Sequence, residues 1–263
     1  MLWEEQSWPK IKEIDKNTPV VIPTGSCEQH GHHLPVFVDS IQVDGIARRS
    51  ERELGDAVLL LPTLWLGSSH HHLDFPGTVS VPPALYSQMI KSVATCVLEA
   101  KFHRILFLNG HGGNHVPIAH ALSELAMQSD EANAALLALA TWWELGRTVV
   151  NPDHLGTQTP CLTHACEYET SLVMALRPDL VALDRAVEGS PALHNDWVRT
   201  ESPGSKVAIF KRFNYLTAAG SMGRPTAASA EKGQRLLDGV VDEVVKFVRD
   251  FATWPELSAV GPR

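Results

Sequence analysis

Three things are scarce in this sequence, and each scarcity removes a class of function. Cysteine is the first. Cys27, Cys96, Cys161 and Cys166 form no CxxC pair and are too few to staple a small domain, so free thiols in a reducing compartment are expected, with no chemistry assigned to them. Positive charge is the second: 22 Lys and Arg stand against 30 Asp and Glu, a formal net charge of -8, with no basic cluster. Nucleic-acid affinity comes from basic side chains that displace counterions, so a nucleic-acid partner is excluded. Long apolar runs are the third. The longest, 134–140, falls far below the roughly 20 residues that cross a bilayer, so no membrane span is expected. The opening Met1-Leu2-Trp3-Glu4-Glu5 carries acid where a secretory leader carries a basic segment, which points to the cytoplasm.

What remains is the composition of a folded protein, 44% hydrophobic and 20% charged over 263 residues, enough for one domain over 1–263 with a substantial core. Histidine is the excess. There are thirteen, several beside Gly, Asp and Glu rather than in apolar stripes.

Apolar β-branched runs predict strands at 18–23, 57–61, 104–108 and 134–140. Three-to-four spacing of apolar residues predicts helices at 82–103, 115–128 with Asn114 as N-cap, 164–176, and 231–251. Strands and helices largely alternate, which predicts an α/β fold: a three-layer α/β/α sandwich with a mostly parallel sheet and ligand sites beyond the carboxyl ends of its strands. The loops after Pro23, Leu66 and Leu108, rich in histidine, fall there. The stretch 188–223, with its Pro, Gly and Ser, reads as a long surface excursion.

Glu28-Gln29-His30-Gly31-His32-His33, followed by Asp39, sets two carboxylates and several imidazoles within twelve residues of a strand end. Mixed Glu, His and Asp donors suit zinc, manganese or iron, and a carboxylate can bridge two ions. A solvated polar loop is an equal alternative on this segment alone. His111 sits in the Gly-rich turn Asn109-Gly110-His111-Gly112-Gly113-Asn114. Such a turn can also cradle a phosphate, but neither a Walker lysine nor GxGxxG spacing accompanies it, and metal binding explains His111 better. His164 and Glu169 open a helix, where a first-turn carboxylate is also favoured simply by the helix dipole.

These blocks, together with Phe75-Pro76-Gly77-Thr78, Glu169-Thr170-Ser171, Gly223-Arg224-Pro225-Thr226-Ala227 and Glu231-Lys232-Gly233, resemble the creatininase (creatinine amidohydrolase) family in order and spacing over nearly the whole chain. The resemblance implies two divalent metal ions per chain, zinc, manganese or iron. Glu28, Asp39 and His111 would hold one, and His30 with the bridging Asp39 the other, with a hydroxide between them. It implies His164 as proton shuttle, Ser69 as a substrate contact and Trp143 as a pocket wall, although Trp143 reads equally as a core aromatic. Creatininase itself carries a glutamate two residues after the metal-binding histidine, where this chain has Gly113; Glu169 is the candidate replacement. The implied activity is hydrolysis of a C–N bond in a small cyclic amide or formamide, by a homo-oligomer, with a hexamer possible. A peptidase-type member acting on a modified peptide, or a non-catalytic metal- or nucleotide-binding protein on the same scaffold, is the alternative. Gly112, Gly113 and Pro160 stand where creatininase has an aromatic, the glutamate and a lid tryptophan, so creatinine is expected to be a secondary substrate.

Overall fold

Val20, Val21 and Ile22 and the run from Ile105 to Leu108 are buried without exception, the pattern of strands covered on both faces. The structure, a computed structural model, describes residues 1–190, 193, 195, 197–198, 206–255 and 257. Its regular elements are α1 (Trp8–Glu13), β1 (Val20–Thr24), α2 (Val38–Leu54), β2 (Leu59–Leu60), α3 (Pro83–Glu99), β3 (Arg104–Asn109), α4 (His115–Gln128), α5 (Asp130–Ala134), β4 (Leu136–Thr141), α6 (Trp142–Leu145), α7 (Pro152–Leu155), α8 (Glu167–Leu176) and α9 (Ala230–Thr253). The strands lie in the order β2-β1-β3-β4, and every pair is parallel.

Side chains alternate across the sheet and feed two cores. Val20, Ile22, Ile105 and Phe107 pack with Tyr86, Ile90 and Val97 of α3 and Ile118 of α4. Val21, Leu106 and Leu108 face the other way, onto Val43 and Ile46 of α2, Leu172 of α8 and the Leu236, Val240 and Val244 stripe of α9. The result is a three-layer α/β/α sandwich. Each large apolar side chain fully buried in it contributes roughly 1.5–3 kcal/mol, so the two cores fix the sheet and with it the loops at its carboxyl edge.

Several expected boundaries move, for local reasons. Thr18 closes a turn onto Asp15, so β1 begins at Val20 and runs on to Thr24, which pairs with Asn109. The strand expected at 57–61 shrinks to Leu59–Leu60, because Gly55–Ala57 form a 3-10 turn. The helix expected at 82–103 ends at Glu99, with Lys101 at a φ of 70°. Residues 130–134 coil into α5 because Ser129 accepts the Ala132 N–H, and β4 therefore starts at Leu136. The helix expected from 164 starts at Glu167, after Ala165 at a φ of 50°. Asn114 does not cap α4. Its side chain instead accepts the Ser68 N–H at 2.9 Å and donates to the Gly25 carbonyl at 2.8 Å, tying together two loops at the sheet edge. Helix α2, which no expectation covered, packs tightly enough on α8 that a Cβ at Gly45 would meet Leu176 at 2.7 Å.

The stretch 188–223 is not wholly a surface excursion. Gly189 pairs with Gly223, and Phe213, Thr217 and Ser221 are buried. The remainder of that expectation, at 191–192, 194, 196 and 199–205, lies outside the described residues. Among the described residues no helix is long and apolar enough to cross a membrane.

Candidate functional site

The carboxyl ends of β1 and β3 deliver the first donors. Glu28 and His30 follow β1, and His111 follows β3. Asn109 shapes the second turn: its Oδ1 accepts the His111 N–H at 3.1 Å and its Nδ2 donates to the His111 carbonyl at 2.8 Å. Gly110 is required there by close approach, since a Cβ would meet Val43 of α2 at 2.7 Å. Helix α2 contributes Asp39 from its first turn, where the helix dipole favours a carboxylate. Glu169 comes from the first turn of α8, and His164 from the loop before it.

These side chains converge. Asp39 spans two imidazoles, with Oδ1 3.2 Å from His30 Nε2 and Oδ2 3.0 Å from His111 Nδ1, while Ser26 donates to Oδ2 at 2.6 Å. On the far side of His111, Nε2 lies 3.4 Å from Glu28 Oε2; at His30 the same Nε2 that faces Asp39 also lies 4.0 Å from Glu169 Oε1. Donor atoms of His30, Asp39 and Glu169 all fall within 4.8 Å of one another, as do those of Glu28, His71 and His111, and of Glu28, His30 and His164.

The donor set fits divalent ions. Glu28, Asp39 and Glu169 are buried together, and no Lys or Arg is among the described residues lining the cavity. Among the described residues Glu28 Oε2 has no hydrogen-bond partner, and His30 Nε2 approaches Asp39 closely but out of line for a hydrogen bond. Buried carboxylates need compensating charge. Burial pushes the Glu28 carboxyl up to about 7, with His111 opposing and Asp39 adding to the rise. Burial likewise raises Glu169 to about 7, against the pull of His30. Burial also opposes ionisation of Asp39, but His30 and His111 hold it well below the usual carboxylate range. Burial disfavours charge on His30 and His111 too, yet Asp39 lifts the first to about 10 and Glu28 lifts the second to about 9.

Gln29 orders the neighbouring rings. Its Oε1 accepts the Gly31 N–H at 2.9 Å, so its amide nitrogen faces His72 Nδ1 and the Gly220 carbonyl, each at 3.0 Å. His164 Nε2 is 2.8 Å from the Gln29 carbonyl oxygen, which requires a proton on that nitrogen. The nearby Gln29 amide, 3.0 Å from the same nitrogen, then gives its hydrogens to the other two acceptors. His164 is thereby left with an unprotonated Nδ1, 3.6 Å from Glu28 Oε1. Burial keeps this ring neutral, well below its ordinary range.

Above the cluster is a cavity of about 300 Å³ lined by Glu28, Asp39, His111, His164 and Glu169 and walled by Trp143 and Phe213. Phe213 packs against His72 and His164 at centroid distances of 4.2 and 4.6 Å. Trp143 lines the cavity edge-on to Trp142, and it is Trp142 that is the fully buried core aromatic. Ser69 is buried behind the lining, its Oγ 3.2 Å from His111 Nε2. His32 is exposed, and His33 bonds Thr170, so neither joins the cluster. Sequence reasoning did not assign His71, His72, Gln29 or Phe213. The three consecutive histidines were a usable signal for the first two; Phe213, distant in sequence and outside any motif, offered none.

The creatininase family model, described as creatinine amidohydrolase, matches residues 4–248. The chain is 29% identical over 240 residues to the mycofactocin precursor peptide peptidase of Mycolicibacterium smegmatis, covering 88% of this chain and 86% of that protein. It is 26% identical over 251 residues to the creatinine amidohydrolase of Pseudomonas putida, with 88% of each covered. Among solved structures, a mutant creatininase complexed with creatine has the same fold, with a TM-score of 0.82 at 24% identity over 96% of this chain and 98% of that one. Zn-Zn and Mn forms of creatininase share it at a TM-score of 0.79, each at 24% identity over 95% of this chain and 97% of theirs.

Proposed function

The chain belongs to the creatininase family, and from that premise we propose that it is a metal-dependent hydrolase cleaving a C–N bond in a small cyclic amide or formamide. Glu28, Asp39 and His111 hold one divalent ion, zinc, manganese or iron, and His30, Asp39 and Glu169 hold a second. The observation that carries this reading is the Asp39 carboxylate, one oxygen toward each imidazole, with Glu28 at the other nitrogen of His111 and Glu169 beside Asp39 at the same nitrogen of His30. Bound ions of this kind polarise a carbonyl and lower the pKa of water toward neutrality.

The chain's own residues supply the proton traffic. As water adds to the carbonyl carbon, His164 Nδ1 accepts its proton, and it returns that proton to the nitrogen as the C–N bond breaks. The Gln29 carbonyl fixes the ring by holding the Nε2 proton, so the working nitrogen stays aimed at the cavity. Phe213 and His72 close one side against bulk water, and Trp143 offers a face to a planar substrate. Among the described residues nothing lies within 4 Å of the place a Gly112 Cβ would take, so the wall beside His111 is open, and creatinine is a secondary substrate.

A peptidase is the second reading. The mycobacterial peptidase relatives favour it, and so does an outer groove that adjoins the cavity at His71, Gly112 and Gly113 and runs past His70, Phe210 and Arg212. Such a groove could seat a chain longer than a single ring. Assays of zinc-, manganese- and iron-loaded protein on creatinine, lactams, hydantoins, formamides and short peptides separate the two. Turnover of the small amides supports the first reading, and turnover confined to peptides replaces it with the second. The family's homo-oligomeric assembly is proposed for this chain as well, and light scattering tests it.

A further inference from the structure

Position 113 cannot carry a side chain in this protein. A Cβ there would lie 2.3 Å from the Ser68 carbonyl oxygen, 2.4 Å from His111 Nε2 and 2.9 Å from His71 Cε1. Two of those neighbours are a backbone atom and a ring held by the donor cluster, so neither yields cheaply. The space beside His111 is filled from the loop after β2, and the side chain that fills it is His71.

His71 is placed as a ligand would be. Its ring is nearly parallel to His111, with centroids 5.7 Å apart and planes at 10°. One of its nitrogens lies within 4.8 Å of donor atoms on both Glu28 and His111, and the residue lines the cavity with them. The backbone behind it is fixed: the Ser69 N–H donates to Ser80 Oγ at 2.7 Å, the Ser68 N–H donates to Asn114, and His70 through His72 form a 3-10 turn. The His71 ring itself has no hydrogen bond or ion pair among the described residues, although both ring neighbours in sequence have one. An imidazole set beside a carboxylate and a second imidazole, with ring contacts but no hydrogen bond among the described residues, has an unused lone pair.

We propose that His71 is a ligand of the ion shared by Glu28 and His111, its ring packed into the space that a side chain at position 113 would need. The proposal rests on the reading of the site as a metal centre and specifies its chemistry. The first ion then has two imidazoles, His71 and His111, among its protein donors, and the second has one, His30. Imidazole favours zinc and iron, whereas carboxylate-rich sites suit manganese. The Glu28 side is therefore the zinc-selective half of the centre, and His71 is the residue that makes it so.

The test uses the full chain, stripped of metal and titrated with cobalt chloride, with metal content and the visible cobalt spectrum as readouts. The unaltered protein should take up about two cobalt ions per chain, as a two-ion site requires. His71→Ala should bind one of them at least about tenfold more weakly and lose the absorption of that equivalent, because loss even of a group that only supports a ligand costs about 10–100-fold in affinity. Since alanine could disturb the loop, His71→Glu is the companion variant. It should still bind both ions, but in competition between zinc and manganese chlorides its manganese share should rise above that of the unaltered protein. If His71→Ala binds both cobalt ions with unchanged affinity and spectrum, or if His71→Glu leaves the zinc-to-manganese ratio unmoved, His71 is not a ligand and the metal-centre reading stands without it. If the unaltered protein binds no cobalt, the metal-centre reading itself fails.

Discussion

The floor and the rim of the cavity are built in different ways. On the floor, Glu28, His30, Asp39 and His111 are all less than 5% exposed and sit on strand ends and a helix start that two apolar cores hold in place. The rim is drawn from loops, Leu162 and Thr163 before α8 and the 207–216 stretch, with His164, His71 and His72 at the boundary between the two. In that last stretch Phe213 turns inward while Phe210 is 91% exposed. Among the described residues the Arg212 side chain is tied down by an ion pair to Asp74 at the surface, an interaction worth about 0–1 kcal/mol. A rigid floor suits chemistry that needs fixed donors, and a loosely held rim suits a choice of substrate that can vary between relatives without disturbing that chemistry. The similarity to both a peptidase and a creatinine amidohydrolase is what such a division would produce.

The division can be broken most severely at Asp39. Asp39→Ala removes the carboxylate that sets one oxygen against each imidazole, so metal content should fall from about two ions per chain to near none, with loss of turnover, as measured by elemental analysis and assay. Full metal in that variant would mean that Asp39 does not bridge. His164→Asn probes the boundary between floor and rim. It should keep its metal while kcat falls by roughly 10²–10⁴, the range for a lost acid-base group, and metal loss would instead make His164 a ligand. Phe213→Ala alters the rim alone. The lost ring contact, about 0.5–1.5 kcal/mol beyond simple burial, should lower kcat/KM on planar substrates roughly 2–10-fold with metal content unchanged.

The gentlest probe is pH. In metal-free protein Glu28 and Glu169 are raised from 4.5 to about 7, and His30 and His111 from 6.5 to about 10 and about 9. In every case the folded state holds protons that the unfolded chain has released, so this part of stability is present at low pH and is lost as pH rises through 5 to 9. Asp39, shifted the other way, acts only below its ordinary value of 3.8. The melting temperature of metal-free protein should therefore fall over pH 5 to 9, and the stabilisation by added zinc should widen by several degrees over the same span. A gap that narrows with pH would contradict the electrostatic description of the floor.

The floor was legible in the sequence because its donors sit in short motifs directly after apolar strands: Glu28 and His30 after β1, His111 after β3. Strand ends converge by topology, so the motif and the alternation together predict the meeting place. Helix α2 escaped detection because its buried face is partly polar, with Asp39, Ser40, Gln42 and Ser50 among its buried residues. The rim was mostly illegible. Phe213 reaches the cavity only because the chain after Gly189 folds back to Gly223. Gly113 looked in sequence like a missing ligand, and only the packing of Ser68 and His71 against it explains why a glycine is required.

The most direct test of the proposal that the floor holds two ions is the metal content of purified protein, measured alongside activity after stripping and reconstitution with zinc, manganese or iron. The account predicts about two ions per chain and hydrolysis that appears with them; no bound metal after careful reconstitution, or activity that is indifferent to it, would contradict it.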